Sequence, residues 1–169
     1  SAEADRIAGA AELERLSDLA RSVNQVLTER AERVGLTHLD GKIECLYHDG
    51  TIKVADVVGT FDENRFAYHG CQLSKEVIRQ YYKRADPDWV AAVAAAKEEA
   101  AERDLADWRS LCDRTPQPLD AAVIDLVADM YAAGADAFAD RPVFDAPSLD
   151  AIGDRLRQFQ SDQMETIEI

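Results

Sequence analysis

Asp40, Lys42 and Glu44 fall at i, i+2 and i+4, the spacing that places three side chains on one face of a strand. Asp56 lies beyond the turn pair Asp49-Gly50, so an antiparallel hairpin folded there would bring it back toward Lys42 and Glu44. Two carboxylates converging beside a lysine have the chemistry of a divalent-cation and phosphate site of the magnesium type. Downstream, Asp62 and Arg65 fall in a polar stretch, and Lys75 and Arg79 stand at i and i+4 at the start of a helical pattern. Arginine forks beside a helix N-terminus suit a planar anion. The same residues also read as a solvated hairpin face with cross-strand ion pairs and as a solvent-facing helix edge, and spacing alone leaves both readings open.

Other chemistries lack their residues. Gly35 to Lys42 separates its two glycines by five residues rather than four and carries Ile43 where a phosphate-binding P-loop needs Ser or Thr. His38, His48 and His69 have no second ligand at helical spacing, so they read as surface or turn histidines. No Ser-His-Asp order is recognisable.

The elements that must position these residues follow from periodicity. Apolar residues at Leu13, Leu16, Leu19, Ala20, Val23, Leu27 and Val34, then Gly35 as a left-handed cap, predict an amphipathic helix. The period then changes to two: Ile43, Cys45 and Tyr47, then Ile52 and Val54, predict a hairpin over roughly 37–58, with Ile43, Cys45, Ile52 and Val54 facing a core. A polar stretch from Gly59 to Arg65 leads through Gly70 to Ser74, the expected N-cap of a helix carrying Val77, Ile78, Tyr81 and Tyr82. Asp86-Pro87 caps an alanine-rich helix reaching about Arg103. Pro116 and Pro118 punctuate the chain before an amphipathic helix from Leu119 to Phe138, and Ser148 opens a shorter one. The fold class is α+β, a β-hairpin or small antiparallel sheet packed with several helices, whose exposed strand edges are an expected association surface.

Composition bounds what this domain could do. The chain has 169 residues, 33 acidic against 19 basic for a net charge of −14, and is 47% hydrophobic. Disorder and phosphate-backbone reading are argued against, so no nucleic-acid partner is expected. The longest alanine-rich stretch, Val90 to Ala96, falls far short of a membrane span, and no leader pattern opens the chain. Cys45, Cys71 and Cys112 are odd in number and widely spaced, as expected for reduced thiols of a cytoplasmic protein. Only five lysines accompany the plentiful arginine and aspartate, which suggests a protein working in high salt that screens its acidic surface.

Read in series, the segments resemble the C-terminal part of the phosphoribosylaminoimidazole-succinocarboxamide synthase (SAICAR synthetase) family. Gly35 to Glu44 is similar to that family's glycine, apolar run and Asp-Thr-Lys-Phe-Glu strand. Ala55 to Phe66 resembles its Asp-Glu-Val-x-Thr-Pro-Asp-Ser-Ser-Arg segment, and Ser74 to Arg79 its Asp-Lys-Gln-x-x-Arg helix start. Pro116-Gln117-Pro118-Leu119, followed by Val123 and Tyr131, is similar to the entry into its last long helix. The departures are Gly41 for Thr, Val57 for the second acid, Phe61 for Pro, and Glu63-Asn64 for Ser-Ser.

The resemblance implies an ATP-dependent ligase of purine biosynthesis. ATP phosphorylates the carboxylate of carboxyaminoimidazole ribotide, and the amine of L-aspartate attacks the acyl phosphate. By position, Glu44 and Asp56 would hold magnesium and the nucleotide phosphates, and Lys42 would neutralise the phosphoryl group or the ribotide carboxylate. Asp40 and Asp62 would orient the ribotide or the incoming amine, with Lys42 and Asp62 the catalytic pair, and Arg65, Lys75 and Arg79 would bind the ribotide phosphate and carboxylate. Residues 1–169 would form the C-terminal lobe of a two-lobed enzyme. The family's N-terminal ATP-covering lobe matches nothing here, which leads us to expect an excised lobe, a processed chain or half of a split enzyme, incomplete as a catalyst alone. A non-catalytic substrate-binding or assembly module, with Val57 as its mark, and a plain acidic interaction domain stand as alternatives.

Overall fold

Helix α1 (Ala10–Arg33) stops where its glycine stops it. Gly35 takes φ +77°, its N–H donates to the Glu32 carbonyl at 3.2 Å, and the Leu36 N–H reaches back to the Ala31 carbonyl at 2.9 Å. This paired closure spends two of the helix's terminal carbonyls. It also turns Leu36, 2% exposed, into the core against the fully buried Ala31 position. The computed structural model describes residues 10–165. They form an α+β chain with two small antiparallel sheets and five α-helices among the described residues.

The chain divides into two compact units, one of residues up to Ser74 with those from Ala128 onward, the other of Lys75–Val127. In the first, β1 (Thr37–Gly41) pairs antiparallel with β4 (Asn64–Tyr68), and β4 with β5 (Cys71–Leu73). Strands β2 (Glu44–His48) and β3 (Thr51–Ala55) form a separate ladder, Glu44 opposite Ala55 and Cys45 opposite Val54. Both hairpin turns put two successive residues at positive φ, Asp49-Gly50 in one and His69-Gly70 in the other, the twist-matched form of a two-residue loop. Phe66, Leu73, Met130, Ile152 and Leu156 are fully buried, the core of this unit. Residues from 128 of α4 (Ala121–Ala139) and α5 (Leu149–Glu165) complete it. Arg155 of α5 meets Asp129 of α4 at 2.5 Å, and the Ser148 hydroxyl accepts from the Ala151 N–H at 3.2 Å as its expected cap.

Three expectations are corrected. The 37–58 hairpin is shorter, because the chain breaks at Lys42-Ile43 and β1 joins the other sheet. Asp40, Lys42 and Glu44 therefore do not share one strand's face. The face expected to meet a core is only partly covered: Cys45 is exposed and Val54 is 37% exposed, whereas Ile43 and Ile52 are half-buried. Alternation identified a common face, since Cys45 pairs with Val54 and Tyr47 with Ile52, but not how far it is covered. Finally, Lys75 rather than Ser74 occupies the N-cap of the next helix, without a side-chain cap bond.

In the second unit α2 (Glu76–Ala85) and α3 (Pro87–Glu102) meet at Asp86, and a short 3₁₀ turn (Trp108–Leu111) follows. The Asp86 carboxylate accepts from the Trp89 N–H at 3.1 Å and from the Gln117 N–H at 3.1 Å. One side chain thus caps α3 and ties down the proline segment, whose Gln117 amide donates in turn to the Ala85 carbonyl at 2.7 Å. Val77, Tyr81, Ala96, Ala100, Val123 and Leu126 are this unit's buried residues.

Candidate functional site

The β1–β4 ladder builds the polar end of the first unit. His38 faces Phe66 but Asp40 faces Arg65, so the register slips at Leu39, which is 52% exposed. Without that extra residue, Leu39 would sit opposite the arginine; the bulge re-aims Asp40 at it. The Arg65 guanidinium grips the Asp40 carboxylate through both oxygens, Nε to Oδ1 at 2.7 Å and Nη2 to Oδ2. This fork holds the Asp40 carboxyl below the usual carboxylate range, the hydrogen bond from Arg65 being the main cause.

Just past the strand, the Lys42 N–H donates to the Glu63 carbonyl at 2.8 Å. The Lys42 ammonium reaches Glu44 at 2.7 Å and Glu63 at 3.1 Å. Hydrogen bonds to Glu44 first, then Glu63, push the ammonium up from its usual value, so it stays charged. Asp62 is held from α4: the Tyr131 hydroxyl donates to it at 2.7 Å, and burial first, then Asp62, pushes that phenol up. Asp56 takes φ +60° directly after Ala55, the cross-strand partner of Glu44. In the same segment Thr60 Oγ1 and Asn64 Nδ2 are buried without a hydrogen-bond partner.

The structure thus joins Asp40 with Arg65 and Lys42 with Glu44, and it sets Asp56 beside the Glu44 rung. Lys75 and Arg79 belong to the second unit: the Arg79 N–H donates to the Lys75 carbonyl at 3.2 Å, and the Arg79 guanidinium lies 3.3 Å from Glu76. Glu63 and Tyr131 are site residues that the sequence reading missed. Tyr131 sits at helical apolar spacing and looks like core, whereas Glu63 becomes relevant only through the β1–β4 register. Among the described residues, no group of three or more His, Cys, Asp or Glu side chains is clustered to hold a metal alone, and the three cysteines are free.

Fold and site together define an acidic α+β module that presents forked and bridged cations among carboxylates at one sheet end. The SAICAR synthetase family model matches residues 2–96, more than half of the chain. A protein of Archaeoglobus fulgidus, described provisionally as a phosphoribosylaminoimidazole-succinocarboxamide synthase, is 33% identical over 159 residues, covering 92% of this chain and 45% of that protein. The chain belongs to the SAICAR synthetase family. It spans about half the length of that curated relative. No solved structure matches it significantly.

Two departures from the family pattern explain each other. Gly41 lies opposite Asn64, and a Cβ at Gly41 would fall 1.8 Å from Asn64 Oδ1. A larger residue at 64, whose Oδ1 lies 3.0 Å from His38 Nε2, therefore requires the smallest residue at 41. Gly41→Thr is expected to destabilise the chain by about 1–3 kcal/mol; adding Asn64→Ser should recover part of that loss in urea denaturation. A second check concerns Asp40. Because its pKa is lowered on folding, the Arg65 pair's contribution is complete above the ordinary aspartate value of about 3.9 and fades as pH falls through the lowered one. NMR titration should show Asp40 titrating below the ordinary aspartate value, and Arg65→Ala should bring it back toward that value.

Proposed function

We propose that this chain supplies the C-terminal, substrate-binding lobe of an ATP-dependent carbon–nitrogen ligase that joins L-aspartate to carboxyaminoimidazole ribotide. The observation that carries the reading is the polar end of the β1–β4 ladder, where the segments matching the family's motifs converge: Asp40 on Arg65, Lys42 between Glu44 and Glu63. In this reading Arg65 exchanges Asp40 for an anionic group of the ribotide, an exchange made easy because the pair is about half exposed. Arg79 and Lys75 bind its phosphate or carboxylate. Lys42, kept protonated by its two glutamates, faces the charge that builds on the transferred phosphoryl group. Asp62, oriented by Tyr131, positions the aspartate amine or the ribotide, a task shared with Asp40.

Glu44 and Asp56 would hold magnesium together with the nucleotide phosphates. Their chemistry fits, because magnesium bound to a polyphosphate takes one or two protein carboxylates and keeps several waters. The metal would supply further neutralisation of phosphoryl charge. Covering ATP falls to the family's other lobe, and the exposed β2–β3 hairpin is the surface we assign to it. The complete enzyme should release ADP only when ribotide and aspartate are both present; ADP release without aspartate incorporation would defeat the ligase reading. Val57, 54% exposed where the family pattern has an acid, favours a second reading, a binding module without turnover, which would bind ribotide and release no ADP.

A further inference from the structure

We propose that the second unit holds a site for a planar aromatic anion, in a cavity of about 390 Å³ between α2, α3 and the 3₁₀ turn. Its volume lies within the ~300–1,000 Å³ of small-molecule sites. Arg79 is shared with the ribotide reading, but the rest of the cavity does not depend on it: Lys97 and Trp108 lie beyond the residues matching the family model, and Trp89 falls in none of the motifs that resemble the family.

The walls combine the two chemistries such a ligand needs. Tyr82, Trp89 and Trp108 contribute aromatic surface, with Tyr82 and Trp89 ring centres 4.9 Å apart and tilted by 57°. Half-buried rings around an open volume offer stacking that a packed core would already have spent. Arg79, Lys83 and Lys97 line the same cavity. Lys97 lies over the Trp108 ring at 5.0 Å, and Arg109 lies 5.2 Å from the same ring. Glu76 balances part of this charge, meeting Arg79 and Lys83, but no acidic residue lines the cavity. In a chain of net charge −14, a cavity lined by three cations and no carboxylate selects an anion, and the rings select a flat one. A nucleoside monophosphate and an aryl carboxylate share that chemistry.

The chain's two tryptophans, Trp89 and Trp108, both line this cavity, so intrinsic fluorescence reports its occupancy directly. The full chain would be titrated with adenosine monophosphate, benzoate, adenosine and inorganic phosphate. A saturable change with adenosine monophosphate or benzoate, and little with adenosine or phosphate, is expected; which anion saturates first identifies the ligand's charged group. Lys97→Met, which keeps both tryptophans, should weaken binding roughly tenfold, and Lys97→Arg should restore it. If Lys97→Met lowers the melting temperature, Lys83→Met is the second variant, with the same expected weakening. No saturable change with either aromatic anion, an equal response to adenosine, or undiminished binding in a folded lysine variant would overturn the proposal.

Discussion

Lys42→Met in the complete enzyme is expected to lower kcat/KM for ribotide ligation by about 10²–10³-fold, the scale seen when one preorganised donor to developing charge is removed. The fold should be almost unaffected, because Lys42 and Glu44 are more than half exposed and their pairing is a surface one. The ammonium sits between Glu44 and Glu63, which raise its pKa and hold it charged. Replacing it with an isosteric apolar chain removes the cation and leaves two carboxylates facing the incoming phosphates. Lys42→Arg, which keeps the charge on a different shape, should recover part of the loss. A folded Lys42→Met enzyme with unchanged turnover would remove Lys42 from the chemistry.

Gly134→Ala is expected to destabilise the chain by about 1–3 kcal/mol, the usual cost of overpacking. Helix propensity argues the opposite way, since alanine inside a helix is better than glycine by about 1 kcal/mol. The clash decides the sign: a Cβ at Gly134 would lie 2.3 Å from Phe61 Cζ and 2.4 Å from Cε2. Phe61 has little room to yield, being 5% exposed with the rings of Phe66 and Tyr131 centred 5.5 and 5.7 Å away. Phe61→Leu should relieve Gly134→Ala, so that the two changes together cost less than their sum in denaturant unfolding. Phe61, a departure from the family's proline, is thus accommodated by a glycine far away in sequence. A Gly134→Ala chain as stable as the parent would contradict this packing.

What could be read from the sequence was what local rules decide. The Gly35 closure of α1, the Asp49-Gly50 turn and the Asp86-Pro87 cap each depend on residues within a few positions of one another, and each stands where it was expected. Strands β4 and β5 were missed because Asn64, Arg65 and Tyr68 blur the period-two pattern, and because His69-Gly70 is a weaker turn signal than Asp-Gly. That omission misplaced β1, since its true partner was absent from the reading. The site suffered accordingly: the residue types were legible, but the Asp40–Arg65 fork depends on a bulge at Leu39 and a pairing across 25 residues. Tyr131 lies 69 residues from the Asp62 it holds, a distance over which periodicity carries no information.

The most direct test of the account is calorimetric titration with carboxyaminoimidazole ribotide in molar potassium chloride with magnesium, using this chain and the complete enzyme side by side. The account predicts saturable binding to the complete enzyme, with Arg65→Ala and Arg79→Ala each weakening it severely while the protein stays folded. Binding by the chain alone would place the ribotide pocket within these 169 residues. No binding to the complete enzyme, or binding indifferent to both arginines, would contradict it.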